Sequence, residues 1–122
     1  MPIGNHKGFT FIEIMVVVTI LGILATLVVP RIKNATIQAR ETVLKQDLFT
    51  LRDRIDQYYS DHGKYPARLA SLQEEGYIRT VPKDPFTESG ETWVEIYVDG
   101  GVFDVHSGSD LVGLDDIPYN QW

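Results

Sequence analysis

From Phe9 to Val29 the chain is apolar except for one charge, Glu13. A run of this length and composition can cross a bilayer as a helix. Beyond Pro30 the pattern changes to apolar positions every three or four residues. Leu44, Leu48, Leu51, Ile55 and Tyr58/Tyr59 form one stripe, and Lys45, Asp47, Arg52, Asp53, Arg54 and Asp56 occupy other faces. This spacing predicts an amphipathic helix that continues the span to about residue 62. Asp61-His62-Gly63 supplies the stop, with Pro66 after it. One helix of about fifty residues would extend roughly 75 Å. A short second helix is predicted over Ala67–Glu75, ended by Gly76. The next segment carries Pro82 and Pro85, which forbid regular structure, and Tyr77, Ile78, Val81 and Phe86 would tack it to the domain. Trp93–Val98 and Val102–Ser107 read as strands joined by an Asp99-Gly100-Gly101 turn. The expected class is α+β: a long N-terminal helix whose second half packs on a small antiparallel sheet at about 93–107.

Glu13 changes the meaning of the apolar run. An acidic side chain at membrane depth costs roughly 2.5–3.5 kcal/mol on insertion scales, so it marks a functional site that needs a partner. A secretory signal is one reading, but the run exceeds the usual apolar region and no clean small-residue cleavage pattern precedes Pro30. An ordinary single-span anchor is another; Lys7 and His6 would hold its N-terminus in the cytoplasm, yet it gives Glu13 no purpose. Arg31 and Lys33 form a collar just past the span.

The remaining residues, 31–122, make a small domain with a marginal core. With no cysteine in the chain, neither a disulfide nor a thiolate metal site can support it. The formal net charge is −6. From Asp84 onward there are nine acidic residues (Asp84, Glu88, Glu91, Glu95, Asp99, Asp104, Asp110, Asp115, Asp116) and no Lys or Arg. Such a half repels nucleic acid and attracts cations, so no nucleic-acid partner is expected.

Lys7-Gly8-Phe9-Thr10-Phe11-Ile12-Glu13 resembles the leader junction of type IV pilins and type II secretion pseudopilins. The resemblance implies a leader over residues 1–8, cleaved between Gly8 and Phe9 by a prepilin peptidase that also methylates the new Phe9 amine. It implies a transmembrane and filament-core helix over 9–30, with Gly22 and Pro30 as helix-softening positions, and a periplasmic domain over 31–122. Glu13 becomes the assembly glutamate. The physics agrees with that role. A positive amine at a helix N-terminus meets a macrodipole end that is already positive. A neighbouring subunit's Glu13 would offset it, and each charge would relieve the other's desolvation. The alternative for an unassembled subunit is that Glu13 pairs with its own N-terminus, one turn away, or snorkels to the interface.

The tail, Ser107 to Trp122, is rich in turn formers and carboxylates. By spacing alone Asp110 and Asp116 can wrap one hard cation, or simply stand in a solvated acidic loop. The segment from Gly76 to Phe86 and the tail both resemble major pseudopilins, whose loop binds calcium. The resemblance implies calcium side-chain ligands at Asp110 and Asp116, with Asp115 as a substitute. Main-chain carbonyls near Ser107, Leu111 and Val112 would complete the set. The loop is shorter than the common pattern, lacks its glycine after Asp110, and inserts Pro118-Tyr119 before Asn120.

No enzyme is expected. Asp104, His106 and Ser107 are neighbours on one strand, so Ser107 points away from the other two, and no phosphate-binding glycine loop or His-x-x-x-His pair is present. The resemblance implies a shaft subunit that polymerises with itself into a pseudopilus and drives export. Its partners would be minor pseudopilins, the prepilin peptidase, an inner-membrane assembly platform and an outer-membrane secretin channel. It would start as a single-pass inner-membrane protein and end in a periplasmic filament. Two alternatives stay open: a type IV pilin for adhesion or motility, and a membrane-anchored periplasmic binding module that never polymerises.

Overall fold

A computed structural model describes residues 8–122. Positions 1–7 of the expected leader, including His6 and Lys7, lie outside the described residues. The chain divides into two compact units, one ending at Thr36 and one spanning Ile37–Trp122. A single helix, α1 (Phe11–His62), contributes residues to both.

In the first unit the helix begins at Phe11, two residues later than the cleavage junction suggests, because Thr10 caps it. The Thr10 Oγ1 accepts the Glu13 backbone N–H at 3.1 Å, and the Thr10 carbonyl accepts the Ile14 N–H at 3.2 Å. A threonine in this position satisfies donors that the first turn leaves orphaned. The most apolar stretch of α1 is long enough to span a membrane and none of it is buried. The two hydroxyls within that run are satisfied locally: Thr19 donates to the Met15 carbonyl at 2.7 Å and Thr26 to the Ile23 carbonyl at 2.6 Å. In lipid no water would do this for them. Pro30 sits inside the helix without ending it.

In the second unit the predicted stripe is the core. Leu44, Leu48, Leu51, Ile55 and Tyr58 are buried against Leu69, Leu72, Trp93, Val102, Val105 and Tyr119. Gly63, in a left-handed conformation (φ 71°), closes α1 by donating its N–H to the Tyr59 carbonyl at 2.8 Å. The second helix, α2 (Ala70–Glu74), is shorter than the predicted Ala67–Glu75. Its lead-in winds tightly, with Ser71 and Leu72 bonding the carbonyls of Arg68 and Leu69, three residues back. The Pro66 carbonyl is spent on the Val102 N–H at 2.7 Å, so it cannot start a helix there. The loop that follows packs on the core through Tyr77, Ile78, Val81 and Phe86, as the pattern predicts.

Strands β1 (Val94–Val98) and β2 (Gly101–His106) form an antiparallel hairpin. Its turn is the two residues Asp99 and Gly100, with φ of 53° and 79°. Two successive positive φ values are what a tight hairpin with right-twisted strands requires, and Asp-Gly supplies them at least cost. Gly101 therefore belongs to the strand, where a Cβ would lie 2.6 Å from the Tyr65 Cβ. Register runs Val94 to His106 through Ile96 to Asp104, then shifts so that Tyr97 faces Val102. Phe103 is the extra residue of that bulge. A 3-10 turn, Tyr119–Gln121, returns the tail to β2.

Candidate functional site

The first candidate region is the start of α1. Gly8 has φ 76° with open space where a Cβ would stand, and Phe9 is exposed. Gly8, Phe9 and Thr10 all precede the first helical residue, so the Gly8–Phe9 bond lies in irregular backbone. Glu13 occupies the third helical position, where the partial positive charge of the helix end favours a carboxylate. Its side chain is exposed and has no hydrogen-bond or ion-pair partner among the described residues. Gly22 lies on the same apolar helix, with nothing near its Cβ position.

The second is the acidic loop of residues 107–122. Asp110, Asp115 and Asp116 are all exposed. Asp115 Oδ1 accepts the Ile117 N–H at 3.1 Å, whereas Asp110 and Asp116 accept no hydrogen bond from the described residues. Asp116 takes a left-handed backbone (φ 63°), and its N–H bonds the Gly113 carbonyl at 3.0 Å. The Leu111 carbonyl already accepts the Tyr119 N–H at 2.9 Å, leaving one lone pair, and Val112 bridges to Pro118. The Ser107 hydroxyl is buried and committed elsewhere, so only its carbonyl remains for a cation. Among the described residues no group of three or more acidic, histidine or cysteine side chains is placed to hold a metal. Two carboxylates with main-chain oxygens and water are the all-oxygen kind of donor set that a hard cation such as calcium takes.

Three polar side chains that pattern reading passes over hold this loop in place. Asp84 is fully buried; its Oδ1 accepts the Phe86 N–H at 2.9 Å and its Oδ2 accepts the Gly108 N–H at 3.1 Å and the Ser107 hydroxyl. Burial first, and the charge of Asp84 second, raise the Asp47 carboxyl above its ordinary range. Arg52 reaches Asp104 at 2.7 Å, the Val105 carbonyl at 3.0 Å and the Trp122 main-chain oxygen at 2.7 Å. Glu41 receives the Leu114 N–H at 2.8 Å and the Tyr119 hydroxyl at 2.9 Å. Burial, then that bond, push the Tyr119 phenol up to about 12, so it remains a donor at physiological pH. Asp104 bonds Arg52, His106 the Trp122 main-chain oxygen and Ser107 the Asp84 carboxylate, and His106 Nε2 also lies 3.9 Å from Asp104 Oδ2. Ser107 and His106 share no bond.

Residues 3–29 match the family described as the prokaryotic N-terminal methylation motif. The type II secretion system core protein G of Pseudomonas aeruginosa is 39% identical, over 67% of this chain and 69% of that protein. The same-named protein of Klebsiella pneumoniae is 38% identical, covering 67% and 70%, and that of Escherichia coli K12 is 33% identical, covering 67% and 68%. This chain belongs to the type II secretion core protein G family. It is a major pseudopilin. No solved structure matches it significantly. The pseudopilin's long helix and two-stranded sheet are the pilin-like α+β arrangement that the leader resemblance implies. Among the described residues its buried polar side chains, Glu41, Asp84, Ser107 and Ser109, all have hydrogen-bond partners. Its unburied apolar helix fits a membrane anchor.

Proposed function

We propose that the pseudopilin polymerises into a helical pseudopilus that drives protein export through a type II secretion system. The observation that carries this reading is an apolar helix with none of its span buried and a lone carboxylate in its first turn. Such a surface demands lipid before assembly and other helices after it. A prepilin peptidase cuts between Gly8 and Phe9 and methylates Phe9; that bond's position ahead of the helix supports the reading, since no helix has to be unwound to reach it. The subunit begins as a single-pass inner-membrane protein with its N-terminus cytoplasmic and residues 31–122 periplasmic. An inner-membrane platform then adds it to a fibre of identical copies, with minor pseudopilins at the tip and an outer-membrane secretin ahead. Gly22 and Pro30 let the helix bend or loosen during extraction. Coexpression with a prepilin peptidase is expected to remove the first eight residues and leave methylated Phe9, read by mass spectrometry. A full-length, unmethylated chain in organised fibres would sink the proposal.

Calcium is proposed as the loop's structural ion, held by Asp110 and Asp116 with Asp115 as a substitute. Main-chain oxygens near Ser107, Leu111 and Val112 would add to them. When bound it neutralises carboxylates that the protein itself leaves unpaired. An ion that binds only the folded form stabilises it by RT ln(1 + [Ca]/Kd). At a hundredfold excess over Kd that is about 2.7 kcal/mol, a large part of a small domain's stability. Asp110→Ala is expected to abolish the rise in melting temperature that calcium gives the wild type, with little change in chelator. Equal melting of the wild type with and without chelator argues instead for a plain acidic loop.

A further inference from the structure

Glu41 stands on the core stripe of α1, three residues before Leu44, and is only 7% exposed. A carboxylate at that depth needs hydrogen-bond partners. Its Oε1 receives two donors that bracket one turn: the Leu114 N–H inside it and the Tyr119 hydroxyl just beyond it. The turn is otherwise closed on itself. Gly113 N–H bonds the Ile117 carbonyl at 2.9 Å, Asp116 N–H the Gly113 carbonyl at 3.0 Å, and Ile117 N–H the Asp115 carboxylate at 3.1 Å. Leu114 N–H is directed out of the turn, to the helix. Tyr119 is fixed a second time, its N–H on the Leu111 carbonyl and its ring stacked on Phe86 at 3.8 Å. The inner side of the loop is thus fastened to α1 at one oxygen atom. Its outer side presents Asp110 and Asp116 to solvent. Asp116 takes a left-handed backbone (φ 63°), which an aspartate tolerates better than most residues.

We propose that Glu41 is a positioning residue for the loop's cation site, so that calcium binding by Asp110 and Asp116 depends on a helix side chain 69 and 75 positions away. The inference rests on the calcium reading above. Glu41 acts as a hydrogen-bond acceptor, not as a ligand, and this makes its role separable. Glutamine keeps the accepting oxygen and loses the charge; alanine loses both.

The test uses the full chain in detergent micelles, titrated with calcium chloride by calorimetry, with melting followed in parallel in chelator. Glu41→Ala is expected to weaken calcium binding at least tenfold (~1.4 kcal/mol), and Glu41→Gln to stay within about threefold of wild type by the same conversion. Wild-type affinity in Glu41→Ala overturns the proposal, even with a lowered melting temperature, because it assigns Glu41 to packing alone. Equal weakening in both variants also overturns it, since charge and not position would then matter. If Glu41→Ala does not fold, Tyr119→Phe removes one of the two donors while keeping the stacked ring. Weakened calcium binding there supports the inference and unchanged binding overturns it. A wild type that takes up no calcium fails earlier, at the ion itself, and is distinguished by its own flat titration.

Discussion

Glu13→Val is expected to insert in the membrane, be cleaved normally and yield almost no fibres. Insertion should improve, because the variant removes an acidic group worth roughly 2.5–3.5 kcal/mol of cost at membrane depth. Assembly should fail because the Phe9 amine of the neighbouring subunit then has no counter-charge. Breaking one side of a buried ion pair costs about 3–5 kcal/mol. At about 1.4 kcal/mol per decade, that is two orders of magnitude or more in the affinity of each added subunit. Glu13→Gln should fail similarly, since an amide can bond the amine but cannot neutralise it. Fibre yield by shearing and electron microscopy, against membrane-bound subunit by immunoblot, checks this. Fibres at wild-type yield from Glu13→Val would show that the carboxylate serves its own subunit only. The Thr10 cap bears on this prediction. It fixes the Glu13 backbone through its N–H, so the valine variant keeps the helix start and changes the side chain alone.

Much of the fold could be read from periodicity because its elements are local. The Leu44–Tyr58 stripe, the Gly63 stop and the hairpin turn each lie within a short window; the first two are found where the pattern puts them, and the turn read over Asp99-Gly100-Gly101 is one residue shorter because Gly101 joins β2. The span and Glu13 are legible for a related reason: a run from Phe9 to Val29 with a single charge is an anomaly in any window. What escaped is what sequence distance conceals. Glu41 lies three residues before Leu44, and the periodicity gives no reason to single it out. Only its partners, Leu114 and Tyr119, reveal it as buried. Asp84 sits between two prolines in a loop, and nothing in that loop announces Ser107 and Gly108 as its donors. Arg52 reads as a solvated helix charge and instead gathers Asp104, Val105 and Trp122. The shortened α2 has the same origin, since the claim on the Pro66 carbonyl comes from Val102, far along the chain. For the loop, the anchoring bonds to Glu41 come from far along the chain and leave no mark in the local pattern.

Asp84→Ala is expected to destabilise the domain by a few kcal/mol and to lower its melting temperature strongly. Asp84 is fully buried and satisfies three donors from two separate segments: Phe86 N–H in its own loop, and Ser107 Oγ–H and Gly108 N–H after β2. Each donor left buried and unpaired costs about 1–3 kcal/mol. Only the Ser107 hydroxyl is fully enclosed, while the Phe86 and Gly108 N–H bonds are half-buried, so the loss is a few kcal/mol, a large part of the roughly 5–15 kcal/mol that holds a typical domain folded. The close approach that makes these bonds possible is visible at Gly108, where a Cβ would lie 2.1 Å from the Thr92 carbonyl oxygen. Gly108→Ala should therefore reproduce the defect from the other side, by pushing the Gly108 N–H off Asp84 while leaving every polar group in place. Glu88→Ala, four residues from Asp84 and exposed, should melt like wild type. Circular dichroism melts of the three variants in detergent, with Trp93 and Trp122 fluorescence as a second probe, decide the matter. If Asp84→Ala keeps a cooperative transition within a few degrees of wild type, the carboxylate is incidental and the loop is held by its apolar residues alone. If Asp84→Ala melts far below wild type while Gly108→Ala does not, the bond to Ser107 carries the load and the Gly108 contact yields.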